Sequence, residues 1–211
     1  MVPCVVRGLG GKSKRQILLH HLALLELQIE RRPNNELYTL KEARRAYFYN
    51  NIPGDVAKSA LGIFLAEVIF KTLKEPEAHI QLFDFLWNAA QMIDLESQVA
   101  NLHLFVMMGM IKHLGFNPNP LENNRYKQPV FDLQSGRWQE ESLGHDDVLN
   151  TDLGRIFVRI SGMKFDELKA LKMSSTERRI LLRAAIDYLQ LHLSGKKEIN
   201  SLTILETVFD E

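Results

Sequence analysis

The chain has 211 residues, 45% hydrophobic and 25% charged, ordinary values for a folded protein with room for one moderate domain and a smaller appendage. Its single cysteine, Cys4, excludes an intramolecular disulfide and any cysteine-built metal site within one chain, which fits a reducing compartment. Acidic and basic side chains balance at 26 each, yet residues 1–49 carry nine basic against four acidic ones, so a segment of net charge +5 precedes a remainder of −5. Such asymmetry hints at a polyanion-facing surface, although solvated surfaces also reach it. The start, MVPCVVRGLGGKSKR, lacks the apolar core and cleavage site of a signal peptide. The longest near-continuous apolar run, Leu102 to Ile111, falls short of the roughly 20 residues a membrane span needs. A cytoplasmic location without membrane association is expected.

In chain order, Gly8-Leu-Gly-Gly-Lys-Ser-Lys-Arg15 is a glycine-rich loop studded with cations, where the backbone can approach a ligand closely. Residues 17–24 fit helix or strand equally. Leu25, Leu27 and Ile29 alternate with Glu26, Gln28 and Glu30, the pattern of a half-buried strand. Pro33 to Glu36 reads as a turn and Leu37 to Leu40 as a second extended run, together a hairpin. Pattern, charge sign and a proline all change at about Tyr49 to Gly54, which divides a basic β-segment (1–50) from a helical domain (51–211). Helical stripes follow: Leu61, Phe64, Leu65, Val68 and Ile69 behind Asp55, then Ile80, Phe83, Leu86, Ala90 and Ile93. Residues Val99 to Leu114 are apolar on nearly every side and stop at Gly115, which predicts a helix at the centre of a bundle. Residues 117–149 form a polar insertion in which only Val130 to Leu133 and Trp138 look able to pack. Helices resume at Thr151 with Leu153, Ile156, Phe157 and Ile160, then a short piece around Leu168. Ser174 and Glu177 have capping-box spacing for another helix, and a last one starts at Ser201 with Leu202, Leu205 and Phe209 on one face.

The motifs point away from catalysis. Gly11-Lys12-Ser13 resembles the end of a phosphate-binding loop, but Val6 stands where that motif needs its first glycine. None of the histidines (His20, His21, His79, His103, His113, His145, His192) has a metal-ligand spacing, and His145-Asp-Asp147 reads as a loop more readily than as a cation site. No serine or cysteine sits in a nucleophile elbow. The aromatics of the helical half, Phe64, Phe83, Phe85, Trp87, Phe105, Phe157 and Phe165, recur at helical spacing and are expected in the core. In contrast, Arg44-Arg45-Ala-Tyr-Phe-Tyr49 sets two cations beside three aromatics, the combination that holds single strands, although Phe48 and Tyr49 could equally seal the junction. Arg155, Arg159, Arg178, Arg179 and Arg183 would be a solvated face or, if they rim an apolar groove, a rim for an acidic, hydrophobic peptide tail.

The run Val5-Val-Arg-Gly-Leu-Gly-Gly-Lys-Ser-Lys14, Leu40-Lys-Glu-Ala-Arg-Arg-Ala-Tyr47, Ile52-Pro53, Phe64-Leu-Ala-Glu67, Leu82-Phe-Asp-Phe-Leu86 and Phe131-Asp-Leu133 with Gly136 resembles the RecO family of bacterial recombinational-repair proteins, in its Bacteroidetes-like version, over essentially the whole chain. The resemblance implies a mainly α fold with a small β part, an N-terminal OB-fold followed by an all-helical RecO C-terminal-like domain. It implies a non-enzymatic mediator without cofactor that binds single- and double-stranded DNA, anneals complementary strands and helps load RecA. Its implied partners are RecR and the acidic tail of single-strand-binding protein, with RecA engaged indirectly. Arg7, Lys12, Lys14, Arg15, Arg44 and Arg45 are then expected at DNA phosphates, and the arginines of the helical half at the tail. Two departures stand out. Many family members carry a four-cysteine zinc site in the insertion, whereas 117–149 has no cysteine. The barrel also reads as only the last three of five strands, an N-terminal truncation or a misassigned start that would expose sheet edges.

Overall fold

A computed structural model describes residues 4–5, 20–31, 37–73, 79–121, 126–140, 144–193 and 197–209. The helical domain is organised around α3 (Leu102–His113), which buries Leu102, Leu104, Val106, Met107, Met108, Met110 and Ile111. An all-round apolar helix is stable only with neighbours on every side. Here α2 (Ile80–Leu95), α4 (Thr151–Gly162), α5 (Phe165–Ala170) and α6 (Ser175–Leu193) supply them. The helix stops at Gly115, whose φ of +86° is left-handed backbone that glycine adopts without strain.

α1 (Val56–Thr72) buries Leu61, Phe64, Leu65 and Val68, as its stripe predicts, and Asp55 is its N-cap, accepting from the Lys58 N–H at 3.0 Å. α2 departs from expectation. Its buried line is Leu82, Ala89, Ala90 and Ile93, while Ile80 and Phe83 are 71% and 60% exposed. Both lines have helical spacing, so periodicity could not choose between them; packing against α3 did. Phe83 leans instead on the half-buried Trp87, ring centroids 5.7 Å apart. The expected capping box holds, Ser174 and Glu177 forming the reciprocal pair at the start of α6, and Asn150 caps α4 as well.

α7 (Ser201–Phe209) returns to pack on α1. Glu67 of α1 accepts from the backbone N–H of Asn200 (3.1 Å) and of Ser201 (2.8 Å), from the Ser201 hydroxyl, and from Lys71 at 2.6 Å. It thereby caps α7 from another helix. Burial works to raise the Glu67 pKa, but these partners outweigh it and hold the carboxyl at about 2, against an ordinary 4.5. A depressed carboxyl contributes stability that is complete above pH 4.5 and lost as pH falls toward 2. Glu67→Gln is therefore expected to cost about 2 kcal/mol at pH 7 in urea unfolding and progressively less below pH 4.

The insertion is more structured than its composition suggests. It forms a three-stranded antiparallel sheet in the order β5, β4, β6, from β4 (Pro129–Asp132), β5 (Arg137–Glu140) and β6 (Val148–Leu149). Phe131, Leu133 and Trp138 are buried as expected, joined by Leu149. Phe131 meets Trp138, Phe157 of α4 and Tyr188 of α6 at centroid distances of 5.5, 5.6 and 6.3 Å. The tight fit runs through Gly154, where a Cβ would lie 2.8 Å from both Phe131 and Trp138.

The N-terminal part is a sheet in the order β1 (Cys4–Val5), β3 (Tyr38–Arg45), β2 (Leu25–Arg31), with β1 parallel and β2 antiparallel to β3. The hairpin pairs Leu25 with Arg45 through Arg31 with Tyr38, as expected, with a bulge at Gln28/Ile29; its turn lies outside the described residues. β1 is short and pairs only Cys4 with Tyr38 and Val5 with Thr39. The half-buried reading of β2 is corrected: Leu27 and Ile29 are 45% and 39% exposed. Alternation marks which side chains share a face, and among the described residues no element covers that face.

The junction is closed by one carboxylate. Asp94, at the end of α2 and 0% exposed, accepts from the backbone N–H of Asn50 (3.0 Å), Asn51 (2.8 Å) and Ile52 (3.0 Å). Its own carbonyl accepts from the Asn51 amide (2.8 Å) and the buried Lys58 ammonium (2.6 Å).

Candidate nucleic-acid and peptide-binding surfaces

The cationic loop residues Arg7, Lys12, Lys14 and Arg15 lie outside the described residues. The structure separates the two remaining DNA-binding candidates, Arg44 and Arg45. Arg44, next to last in β3, lies opposite Glu26 and makes a two-pronged ion pair with it at 2.8 and 2.6 Å, so its charge is locally compensated. Arg45, at the strand end, points to the other face and lays its guanidinium 5.4 Å from the centroid of the Phe48 ring. Phe48 is 64% exposed, so it does not seal the junction, whereas Tyr49 does: its hydroxyl donates to the Leu22 carbonyl at 2.6 Å. Burial, with Asp94 and Tyr47 nearby, pushes the Tyr49 phenol well above its ordinary pKa, so it remains a donor. Arg45, Tyr47 and Tyr49 line an open cavity of about 350 Å³ with His20 and His21. Neither histidine was singled out by spacing, because β3 and the start of α1 bring them to this site.

The arginines of the helical half also divide. Arg155 and Arg159 are exposed on α4 and make no ion pair among the described residues. Arg178 donates to the side chain of Asn101 at 2.9 Å, and Asn101 in turn donates to the carbonyls of Leu168 in α5 and of Leu171, which caps that helix. Arg183 is held by Glu206 of α7 through two bonds of 2.8 Å. Arg178 and Arg179 meet an apolar cleft between α3, α6 and α7, whose lining includes His103, Leu182, Leu205 and Phe209. With Phe209 in place the cleft holds only about 20 Å³, and of the five cations only these two line it, beside Glu206.

His103 lies in the apolar run of α3. It is buried, but its Nδ1 has no hydrogen-bond partner, and the Phe209 ring packs edge-on at 5.5 Å. Burial, aided by Arg178, pushes its pKa down to about 3, so the ring is neutral.

Among the described residues no group of three His, Cys, Asp or Glu could hold a metal ion. The residues of the insertion do not fit a four-cysteine zinc site; hydrogen bonds close its turn instead. Asp132 accepts from the Gln134 N–H (2.8 Å), the Ser135 N–H and hydroxyl (3.3 and 2.6 Å) and the Gln139 amide (2.8 Å). His145 approaches its other face at 3.6 Å. No described helix is long and apolar enough to cross a membrane.

Comparison with known proteins agrees with this architecture. The family model described as Recombination protein O C terminal matches residues 53–199, starting where the Asp94 junction ends. A protein called DNA repair protein RecO from Azobacteroides pseudotrichonymphae is 31% identical over 97% of this chain and 87% of its own length. Its namesake from Flavobacterium psychrophilum is 31% identical over 94% and 82%. That of Porphyromonas gingivalis is 28% identical over 97% and 83%. With more than half of its length matched by the family model and relatives of 31% identity spanning nearly all of it, the chain belongs to the RecO family of DNA repair proteins.

Proposed function

We propose that this DNA repair protein is a non-enzymatic recombination mediator. It binds single-stranded DNA through its basic β-part, anneals complementary strands, and acts with RecR to help load RecA on strands coated by single-strand-binding protein. The observation that carries the reading is the pairing of the exposed Phe48 ring with Arg45, which lines a cavity together with Tyr47 and Tyr49. A cation beside exposed aromatic faces neutralises phosphate and stacks bases without reading sequence. The absence of enzymatic activity is read from the sequence, in which Gly11-Lys12-Ser13 lacks the glycine needed to wrap a triphosphate.

The test is fluorescence anisotropy of a labelled oligothymidylate across salt concentrations. Neutralising Lys12, Lys14 and Arg15 together is expected to weaken binding and to lower the salt slope by about 2, at roughly 0.7 per phosphate contact. Phe48→Ala is expected to cost about 1 kcal/mol of binding through lost stacking. Arg44→Ala should change little, because Glu26 already compensates it. Binding indifferent to salt and to all of these changes would overturn the DNA reading.

A second reading, a scaffold that binds the acidic tail of single-strand-binding protein without binding DNA, is favoured by the arginine-rimmed cleft at Arg178 and Arg179. Titrating labelled tail peptide and labelled oligonucleotide against the same protein separates the two readings.

A further inference from the structure

The face of α6 that carries the arginines is already engaged by the chain itself. Glu206 of α7 holds Arg183, and one turn later Phe209 lies over the cleft of His103, Leu182 and Leu205, beside Arg178 and Arg179. In sequence this segment reads Glu206-Thr-Val-Phe-Asp-Glu211, a phenylalanine among three carboxylates. It has the chemistry that an apolar socket with a cationic rim selects. With the Phe209 ring in place the remaining cavity is about 20 Å³, room for about one water molecule and not for a side chain. The socket is also polar at one point, since the buried Nδ1 of His103 has no hydrogen-bond partner, and such a group favours any occupant that satisfies it.

We propose that Phe209 is a gate: its ring fills the seat that an aromatic side chain of an acidic partner peptide takes, and the partner binds only when the ring has swung out. This rests on reading Arg178 and Arg179 as a peptide-binding rim. Phe209 is the last residue of α7 and only half-buried, whereas Ser201 at the other end of the helix is held by Glu67 of α1. A side-chain rotation therefore opens the socket without undocking α7. The affinity observed for a peptide is its intrinsic affinity reduced by the fraction of molecules with the socket open.

The experiment measures binding of a fluorescein-labelled peptide copying Leu205–Glu211 to the full chain and to its Phe209→Ala and Phe209→Leu variants, with circular dichroism confirming that each is folded. Phe209→Ala is expected to bind about tenfold tighter than the parent, and Phe209→Leu by an intermediate factor. Arg179→Glu, added to Phe209→Ala, should abolish the gain. Equal affinity in the parent and both variants, still lost with Arg179→Glu, overturns the gate and leaves the arginine rim standing. Absence of binding to the parent and both variants overturns the gate and the rim together. Should Phe209→Ala fail to fold, the comparison of Phe209→Leu with the parent decides by the same criteria.

Discussion

Asp94→Ala is expected to lower the unfolding free energy by about 4 kcal/mol, measured as a shift of the urea midpoint at unchanged slope. The change removes the acceptor of three backbone N–H groups, of which that of Ile52 is fully enclosed. It also strands the buried Lys58, whose ammonium remains on the Asp94 carbonyl but loses the neighbouring negative charge. Asp94→Asn keeps the volume and one acceptor oxygen but turns an amide donor toward a backbone donor, so a cost near 2 kcal/mol is expected. The pH dependence provides an independent check. Burial works to raise the Asp94 pKa, and the three N–H bonds, with Lys58, outweigh it and hold the carboxyl below its ordinary 3.8. Its contribution is therefore complete above about pH 4 and lost as pH falls below that. The alanine variant should lack this acid-dependent loss. A cost under 1 kcal/mol would mean that the junction is held by something other than this carboxylate.

Phe131→Ala is expected to cost about 3–5 kcal/mol, the range for emptying a fully enclosed aromatic site. Phe131 is 0% exposed, and its ring joins β4 to Trp138 of β5, Phe157 of α4 and Tyr188 of α6. Those neighbours cannot easily collapse into the space. The Trp138 indole is fixed by its bond to the Asn119 carbonyl at 3.1 Å, and burial pushes the Tyr188 phenol up to about 12, keeping it a protonated, packed ring. Trp138 emission should shift to the red as the sheet loosens, while Trp87, half-buried on α2, serves as the internal reference. Oligonucleotide binding to the folded variant should be unchanged, since the rings Phe131 meets belong to β5, α4 and α6 and not to the Arg45 and Phe48 site. A simultaneous loss of binding would instead place DNA on the insertion.

The two residues make the same kind of connection. Asp94 ties the β-part to α2 by filling the hydrogen-bond needs of the chain that links them, and Phe131 ties the insertion to α4 and α6 by apolar contact. In each case one side chain couples a small sheet, too small to be stable alone, to the helical core.

The sequence by itself determined the elements whose signals are local. The capping box at Ser174 and Glu177, the apolar run of α3 ending at Gly115, the hairpin of β2 and β3, and the packing residues Phe131 and Trp138 all rest on chemistry within a few residues of each other. The family was legible in the same way, from ordered motifs along the chain. What only the tertiary structure decided is which of two equally spaced faces is covered, and which charges meet. Periodicity could not tell that Leu82 would be buried and Phe83 exposed, because both lie on helical lines and α3 packs on only one of them. Nor could it tell that Arg44 is spent on Glu26, or that Glu206 and Phe209 lie across the α6 arginines. Those pairings join residues 18 and 23 positions apart, and for Phe209 and His103 more than a hundred. Helix and strand patterns are written in local periodicity, whereas the partner of a charge or an aromatic ring is set by how the elements fold back on one another.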